Sequence, residues 1–126
     1  MRLLLDTHVF LWAVDGALPD KTRAIIDEAT EVYVSSASIW EISIKARLGK
    51  LDADPVFLAS LIAPSGFREL QVSAAHAAAV FRLLVPANGH TDPFDRLLAA
   101  QALTEPLILL TADARLSQYA IPMVHV

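Results

Sequence analysis

The stretch Leu3-Leu4-Leu5-Asp6-Thr7-His8 decides the fold of this chain, because an uninterrupted apolar run ends there directly in an acidic residue. Strands with one face in water alternate apolar and polar residues, whereas strands covered on both faces do not alternate. The run Leu107-Ile108-Leu109-Leu110 has the same continuous apolar character. Both runs therefore predict strands inside a parallel sheet that carries helices on its two sides.

Short β-type runs alternate with longer stretches of helical apolar spacing along the chain. The predicted strands are residues 2–5, 32–35, 69–72, 107–110 and 123–126. The predicted helices are residues 8–14, 21–29, 37–48, 56–62, 74–84 and 93–103. Asp54-Pro55 and Asp92-Pro93 each place a capping acid before a proline, and Gly49 ends the helix that contains Glu41. The alternation predicts an α/β fold with about five parallel strands and helices on both faces.

Length and composition limit the possible classes of protein. A chain of 126 residues is expected to form one domain over residues 1–126. Charged residues interrupt every apolar stretch before the roughly 18 to 20 residues that a membrane-spanning helix needs, so no membrane association is expected. The chain has no cysteine, which excludes disulfides and thiolate-bound zinc and fits a cytoplasmic location.

The apolar content predicts an association surface. Hydrophobic residues make up 55% of the chain and the mean hydropathy is +0.47, so another chain is expected to cover part of the surface. Phe10, Leu11 and Trp12 follow the first acid in more apolar positions than one buried stripe needs. Both a partner-facing surface and burial in the core remain open for these three residues.

The net charge of −4 argues against a high-affinity binder of duplex DNA. It argues only weakly against a metal-dependent nuclease. If four of the 14 acidic residues are metal ligands, the remaining ones balance the 10 lysines and arginines.

Four acidic residues are candidates for chemistry, and each also has a structural alternative. Open parallel sheets bind ligands beyond the carboxyl ends of their strands, where Asp6 and Asp113 are expected. Asp6 and Asp113 could instead stabilise helix starts, and Asp95 could form a capping pair with Asp92. Glu41 lies in a largely apolar helix, and its alternative role is an ion pair with Lys45 one turn later.

Carboxylates gathered at one edge of a sheet would repel one another and raise each other's pKa values. A divalent cation relieves that repulsion, and a site made only of carboxylate oxygens suits Mg²⁺ or Mn²⁺. The four histidines are scattered, which disfavours zinc or copper. His90, two residues before Asp92, is the one histidine that is a candidate to orient a water or a phosphate.

Four segments carry a resemblance when they are taken together and in order. They are Asp6-Thr7-His8, residues 38–45 (SIWEISIK), residues 90–102 (HTDPFDRLLAAQA) and Thr111-Ala112-Asp113. They resemble the PIN domain, and more narrowly the VapC-type toxins of prokaryotic toxin–antitoxin pairs. The match runs from Arg2 to near the C-terminus and so covers essentially the whole chain.

This resemblance implies a PIN-like three-layer fold and an endoribonuclease that depends on Mg²⁺ or Mn²⁺. It implies that Asp6, Glu41, Asp95 and Asp113 hold the metal and carry the catalysis, with Asp92 as a cap or support. The residues expected to contact the substrate are Thr7, Lys45, Arg96 and Thr111. Arg47, Lys50 and Arg115 also lie near these segments and are candidates for phosphate contacts, with a solvated helix face as the alternative, more for Lys50 than for Arg96. The implied partners are RNA, a VapB-type antitoxin and a second copy of the chain.

Two other functions remain as alternatives. The first is a PIN-like binding module without catalytic activity, which the complete set of four acids disfavours. The second is a Mg²⁺-dependent phospho-acceptor domain or phosphatase. Such sites need a second acid close to Asp6, but Thr7 and His8 follow it.

Overall fold

A computed structural model describes the chain from Met1 to Val126. Its strands are β1 (Arg2–Leu5), β2 (Glu31–Ser35), β3 (Arg68–Leu70), β4 (Ile108–Thr111) and β5 (Met123–His125). Its helices are α1 (Thr7–Val14), α2 (Asp20–Glu28), α3 (Ser36–Arg47), α4 (Pro55–Ser60), α5 (Ala74–Ala79) and α6 (Pro93–Thr104). Two 3₁₀ turns span Val80–Arg82 and Ala114–Gln118.

All five strands are parallel and lie in the order β3-β2-β1-β4-β5. The chain builds the sheet to one side of β1 first and then crosses to the other side to form β4. The carboxyl end of β1 therefore lies at the point where the strand order reverses, which is the usual ligand site of such sheets. The predicted α/β class, the five strands and their parallel arrangement are confirmed.

The continuous leucines of β1 are explained by two cores, one on each face of the sheet. Leu3 and Leu5 pack with Phe10 and Ile42 on the face covered by α1, α3 and α4. Leu4 points the other way and packs with residues of α6 and of the 3₁₀ turn at residues 114–118. Every leucine of β1 is fully buried, which is why this strand shows no polar alternation.

The caps predicted from the sequence are confirmed. Asp54 and Asp92 are the N-caps of α4 and α6, and each helix begins with a proline. Gly49 follows the end of α3 with a φ of +73°, and its N–H donates to the carbonyl of Ala46. The chain reverses there without strain because glycine has no Cβ.

The helix predicted over residues 74–84 is shorter than expected. Regular α-helix ends at Ala79, a 3₁₀ turn follows, and the backbone is extended at Leu83 with a ψ of 141°. The residue before Pro86 is disfavoured in helical conformation, so the chain must leave the helix before that point.

The open question about residues 10–12 is resolved in part. Phe10 is fully buried in the core, while Leu11 and Trp12 are half-buried. The most exposed large apolar side chains lie elsewhere: Trp40, Leu48, Val56, Phe57, Phe81, Leu84 and Val85. None of the helices has the length and apolarity that a bilayer crossing requires.

Candidate active site

A cleft of about 750 Å³ lies at the carboxyl ends of β1 and β4. The acids Asp6, Glu41, Asp95 and Asp113 all line it, together with Asp92. Asp6 directly follows β1, Asp113 follows β4, and α3 and α6 supply the other acids. Residues up to 107 positions apart in the sequence therefore meet at one edge of the sheet.

Asp6 is the most firmly held of these acids. Its Oδ1 accepts a hydrogen bond from the N–H of Val9 at 2.8 Å, which makes it the N-cap of α1. Its Oδ2 accepts from the Thr111 hydroxyl and, at 3.3 Å, from the N–H of Ala112. Burial raises the pKa of Asp6, and these hydrogen bonds partly oppose that rise. The Asp6 side chain is therefore fixed before any ligand arrives.

The two threonines beside these acids have different positions. Thr111 is fully buried and also accepts a hydrogen bond from the N–H of Asp113 at 3.0 Å, so it orients two acids without lining the cleft. Thr7 does line the cleft, and its hydroxyl donates to Ser38 Oγ at 2.9 Å.

Glu41 is buried on α3 and forms an ion pair with Lys45, whose Nζ lies 2.7 Å from Oε2. The hydrogen bond to Glu41 raises the pKa of Lys45. The alternative role considered for Glu41, an ion pair one turn along the helix, is thus present in the structure and coexists with its position in the cleft.

Asp92 and Asp95 have distinct environments. Asp92 Oδ1 accepts hydrogen bonds from the N–H groups of Phe94 and Asp95, both at 2.9 Å, so Asp92 caps α6. Asp95 Oδ2 lies 3.1 Å from Nε2 of the buried His90, but this nitrogen makes no aligned hydrogen bond. Burial, and then repulsion from Asp92 and Glu41, raises the pKa of Asp95 to about 7.

Asp113 is held by a basic residue of the following 3₁₀ turn. The guanidinium of Arg115 donates from Nη2 to Oδ2 at 2.7 Å and from Nε to Oδ1 at 3.0 Å. These bonds lower the pKa of Asp113 below its usual value. Asp113 also caps this turn by accepting from the N–H of Arg115.

The donor chemistry of the cleft fits a divalent cation such as Mg²⁺ or Mn²⁺, because all four acids offer carboxylate oxygens. In the arrangement described, no three acidic or histidine side chains are close enough to hold one ion together. Glu41 and Asp113 are instead paired with Lys45 and Arg115. Both basic side chains are more than half exposed, so rotation about their bonds releases Glu41 Oε2 and Asp113 Oδ2, while Asp113 Oδ1 still accepts from the backbone N–H of Arg115.

The cleft brings together most of the residues predicted from the sequence, but not all of them. Asp6, Thr7, Glu41, Lys45, Asp95 and Asp113 line it. Arg96 does not line the cleft. Its Nη1 donates at 3.1 Å to the carbonyl of Leu84 and to the Tyr119 hydroxyl, so it fastens the segment after α5 to the body of the protein.

Lys50 and Arg115, two of the basic residues predicted to contact phosphates, line the cleft, whereas Arg47 does not. Gly49 reverses the chain and so returns Lys50 towards the sheet edge. A glycine directly after a helix is a sequence signal for such a reversal. Arg115 reaches the cleft through a five-residue 3₁₀ turn.

Comparison with known proteins agrees with this geometry. The family model for the PIN domain matches residues 3–122. No curated protein sequence matches the chain.

Several solved structures share the fold. VapBC2 from Rickettsia felis, bound to a DNA fragment from its promoter, is similar with a TM-score of 0.74 and 17% identity over 100% of this chain and 99% of that one. FitAcB from Neisseria gonorrhoeae has a TM-score of 0.68 and 20% identity over 98% and 96% of the two chains. VapC20 from Mycobacterium tuberculosis, a toxin that cleaves the sarcin–ricin loop, has a TM-score of 0.63 and 19% identity over 91% and 92%.

Proposed function

The chain belongs to the PIN domain family, and on this premise we propose that it is a metal-dependent endoribonuclease, the toxin of a type II toxin–antitoxin pair. Residues 1–126 act as a single nuclease domain in the cytoplasm. The observation that carries the proposal is the meeting of four carboxylates from distant parts of the sequence in one cleft.

Asp6, Glu41, Asp95 and Asp113 would hold Mg²⁺ or Mn²⁺. When bound, the cation supplies a Lewis acid that stabilises charge on the phosphate and lowers the pKa of water. The fixed position of Asp6 supports this role, since a ligand that is already oriented loses little freedom on binding.

The reaction is hydrolysis of an RNA phosphodiester. A water oxygen attacks phosphorus, the bond from phosphorus to the 3′ oxygen breaks, and the products are a 5′-phosphate and a 3′-hydroxyl. Asp95, a carboxylate that lines the cleft, accepts the proton of the attacking water. The leaving oxygen takes its proton from solvent.

We propose a single-stranded or looped RNA as the substrate. The similar toxin VapC20 cleaves the sarcin–ricin loop, which supports RNA as the substrate class. The basic side chains at the cleft are Lys45, Lys50 and Arg115, a set suited to a few phosphates rather than a long duplex. Thr7 is a further candidate for substrate contact. Arg96 and Thr111 are not, because both make internal hydrogen bonds and neither lines the cleft.

Cleavage of total RNA with mapping of the cut ends tests this function. Cleavage is expected with Mg²⁺ or Mn²⁺, should stop in EDTA and should return when metal is restored in excess. Undiminished cleavage in EDTA would contradict the mechanism. Absence of cleavage with either metal, on freshly purified protein of native melting temperature, would favour the binding module without activity.

The protein partners are an antitoxin of the VapB type and a second copy of the chain. Similar solved structures are toxin–antitoxin complexes, and the exposed Trp40, Leu48 and Phe57 leave apolar surface for another chain to cover. Light scattering of the chain alone and with the small protein encoded beside its gene tests both partners. A chain that stays monomeric at high concentration and does not bind the protein encoded beside its gene would contradict the proposal.

A further inference from the structure

Two of the four acids in the cleft are neutralised by the chain's own cations. Glu41 is paired with Lys45. Asp113 accepts hydrogen bonds from Nε and Nη2 of the Arg115 guanidinium. Asp6 and Asp95 have no lysine or arginine partner. Asp6 is held by neutral donors, and Asp95 lies beside His90. Two of the four acids are thus free of internal cations, and the other two are occupied by ion pairs.

The solvent exposure of the two cations indicates that both ion pairs dissociate easily and contribute little to the stability of the fold. The Lys45 side chain is 51% exposed and that of Arg115 is 67% exposed, whereas Glu41 and Asp113 are 8% and 26% exposed. Ion pairs whose cation is exposed to solvent are individually weak. Each pair thus joins a buried or half-buried carboxylate to a solvent-exposed cation, which a divalent ion can displace.

We infer that Lys45 and Arg115 are internal counter-cations of the cleft, which occupy Glu41 and Asp113 in the metal-free protein and are released by metal to face the substrate phosphates. This inference rests on the proposed function. The same two side chains compete with metal for the carboxylates and then bind the polyanion. Metal binding and RNA binding therefore reinforce one another, and such coupling is reciprocal.

The first test is the affinity for Mn²⁺, measured by isothermal titration calorimetry without RNA. Lys45→Met and Arg115→Met keep an unbranched apolar stem and remove the competing charge. Each variant is expected to bind Mn²⁺ about two- to fivefold more tightly than the wild-type chain, which matches the strength of an exposed ion pair. Unchanged or weaker Mn²⁺ binding in both variants would overturn the inference without contradicting the proposed metal site.

Two controls separate displacement from a general loss of positive charge. Lys50 lines the same cleft but holds no carboxylate, and Arg47 is exposed on α3 outside the cleft. Lys50→Met and Arg47→Met should therefore leave the affinity for Mn²⁺ nearly unchanged. An equal gain in Lys50→Met would overturn the inference. Absence of any Mn²⁺ binding by the wild-type chain would contradict both this inference and the metal site of the proposed function.

A second measurement uses the unmodified chain. In a ¹⁵N-labelled sample, the chemical shift of the Arg115 Nε–H group is expected to change as Mg²⁺ is added. It should move from the value of a guanidinium bonded to a carboxylate to the value of a solvated guanidinium. A resonance that does not move would overturn the inference. In steady-state cleavage at saturating Mn²⁺, Arg115→Met should raise KM severalfold and leave kcat within about twofold, because the lost contact is with bound RNA.

Discussion

Asp92 is the N-cap of α6 and Asp95 lies one turn later, but their carboxylate oxygens make different contacts. Asp92 satisfies two backbone N–H groups at the helix start, and Asp95 points its charge into the acidic cleft. Asp92→Asn keeps a capping oxygen and should leave most of the cleavage rate and the stability intact. Asp95→Asn keeps the shape but removes the charge of a proposed metal ligand, so the rate should fall by orders of magnitude. Cleavage rates of the two purified variants test this assignment, and an inactive Asp92→Asn beside an active Asp95→Asn would reverse it.

The raised pKa of Asp95 also predicts how stability depends on pH in the metal-free protein. The folded state releases this proton at a pH of about 7, whereas the unfolded chain releases it near 3.8. Between these values the folded state binds more protons, so its stability falls as the pH rises, and the loss is complete above pH 7.

Asp95→Asn removes this penalty. In EDTA at pH 8 its melting temperature should exceed that of the wild-type chain, and the difference should shrink towards pH 4. Asp27→Asn removes an exposed acid outside the cleft and serves as the charge-matched control. A wild-type chain that melts above Asp95→Asn at pH 8 would contradict the mutual repulsion of the carboxylates.

At the scale of elements, the turn that ends α3 determines where Lys50 lies. Gly49 has a φ of +73°, and a Cβ built at this position meets no atom within 4 Å. Gly49→Ala is therefore expected to destabilise the fold by backbone strain alone, by about 1 kcal/mol. Gly49→Asn should cost less, because asparagine tolerates the left-handed region. Thermal melts of both variants test this, and equal losses would show that side-chain contacts rather than backbone strain set the cost.

The elements themselves were largely predictable from the sequence, since strands and helices are set by local patterns. Continuous leucines mark a strand covered on both faces, and Asp-Pro marks a helix start, so β1 and α6 begin where the sequence predicts. The early end of α5 and the 3₁₀ turn after Asp113 were harder to predict. Each depends on a few residues whose conformation is decided by packing rather than by periodicity.

The candidate site was predictable only in part, because its partners come from different elements. The pairing of Glu41 with Lys45 follows from helical spacing. The burial of Thr111 beneath Asp6 depends on how β1 and β4 pair, more than 100 residues apart in sequence. The anchoring of Arg96 to Leu84 and Tyr119 likewise requires the assembled fold. Sequence patterns reveal which residue types are present but not which distant groups hold them.

At the scale of the whole molecule, the net charge of −4 disfavours tight non-specific binding of RNA, and the basic residues that line the cleft are Lys45, Lys50 and Arg115. Contacts to about three phosphates on a single strand predict a slope near −2 for the logarithm of the binding constant against the logarithm of salt concentration. Anisotropy of a labelled single-stranded RNA in Mg²⁺, recorded before appreciable cleavage, measures this slope. Lys50→Met should make it shallower by about 0.7, because one phosphate contact is lost. A wild-type slope steeper than about −4 would mean that RNA contacts a much larger surface than this cleft.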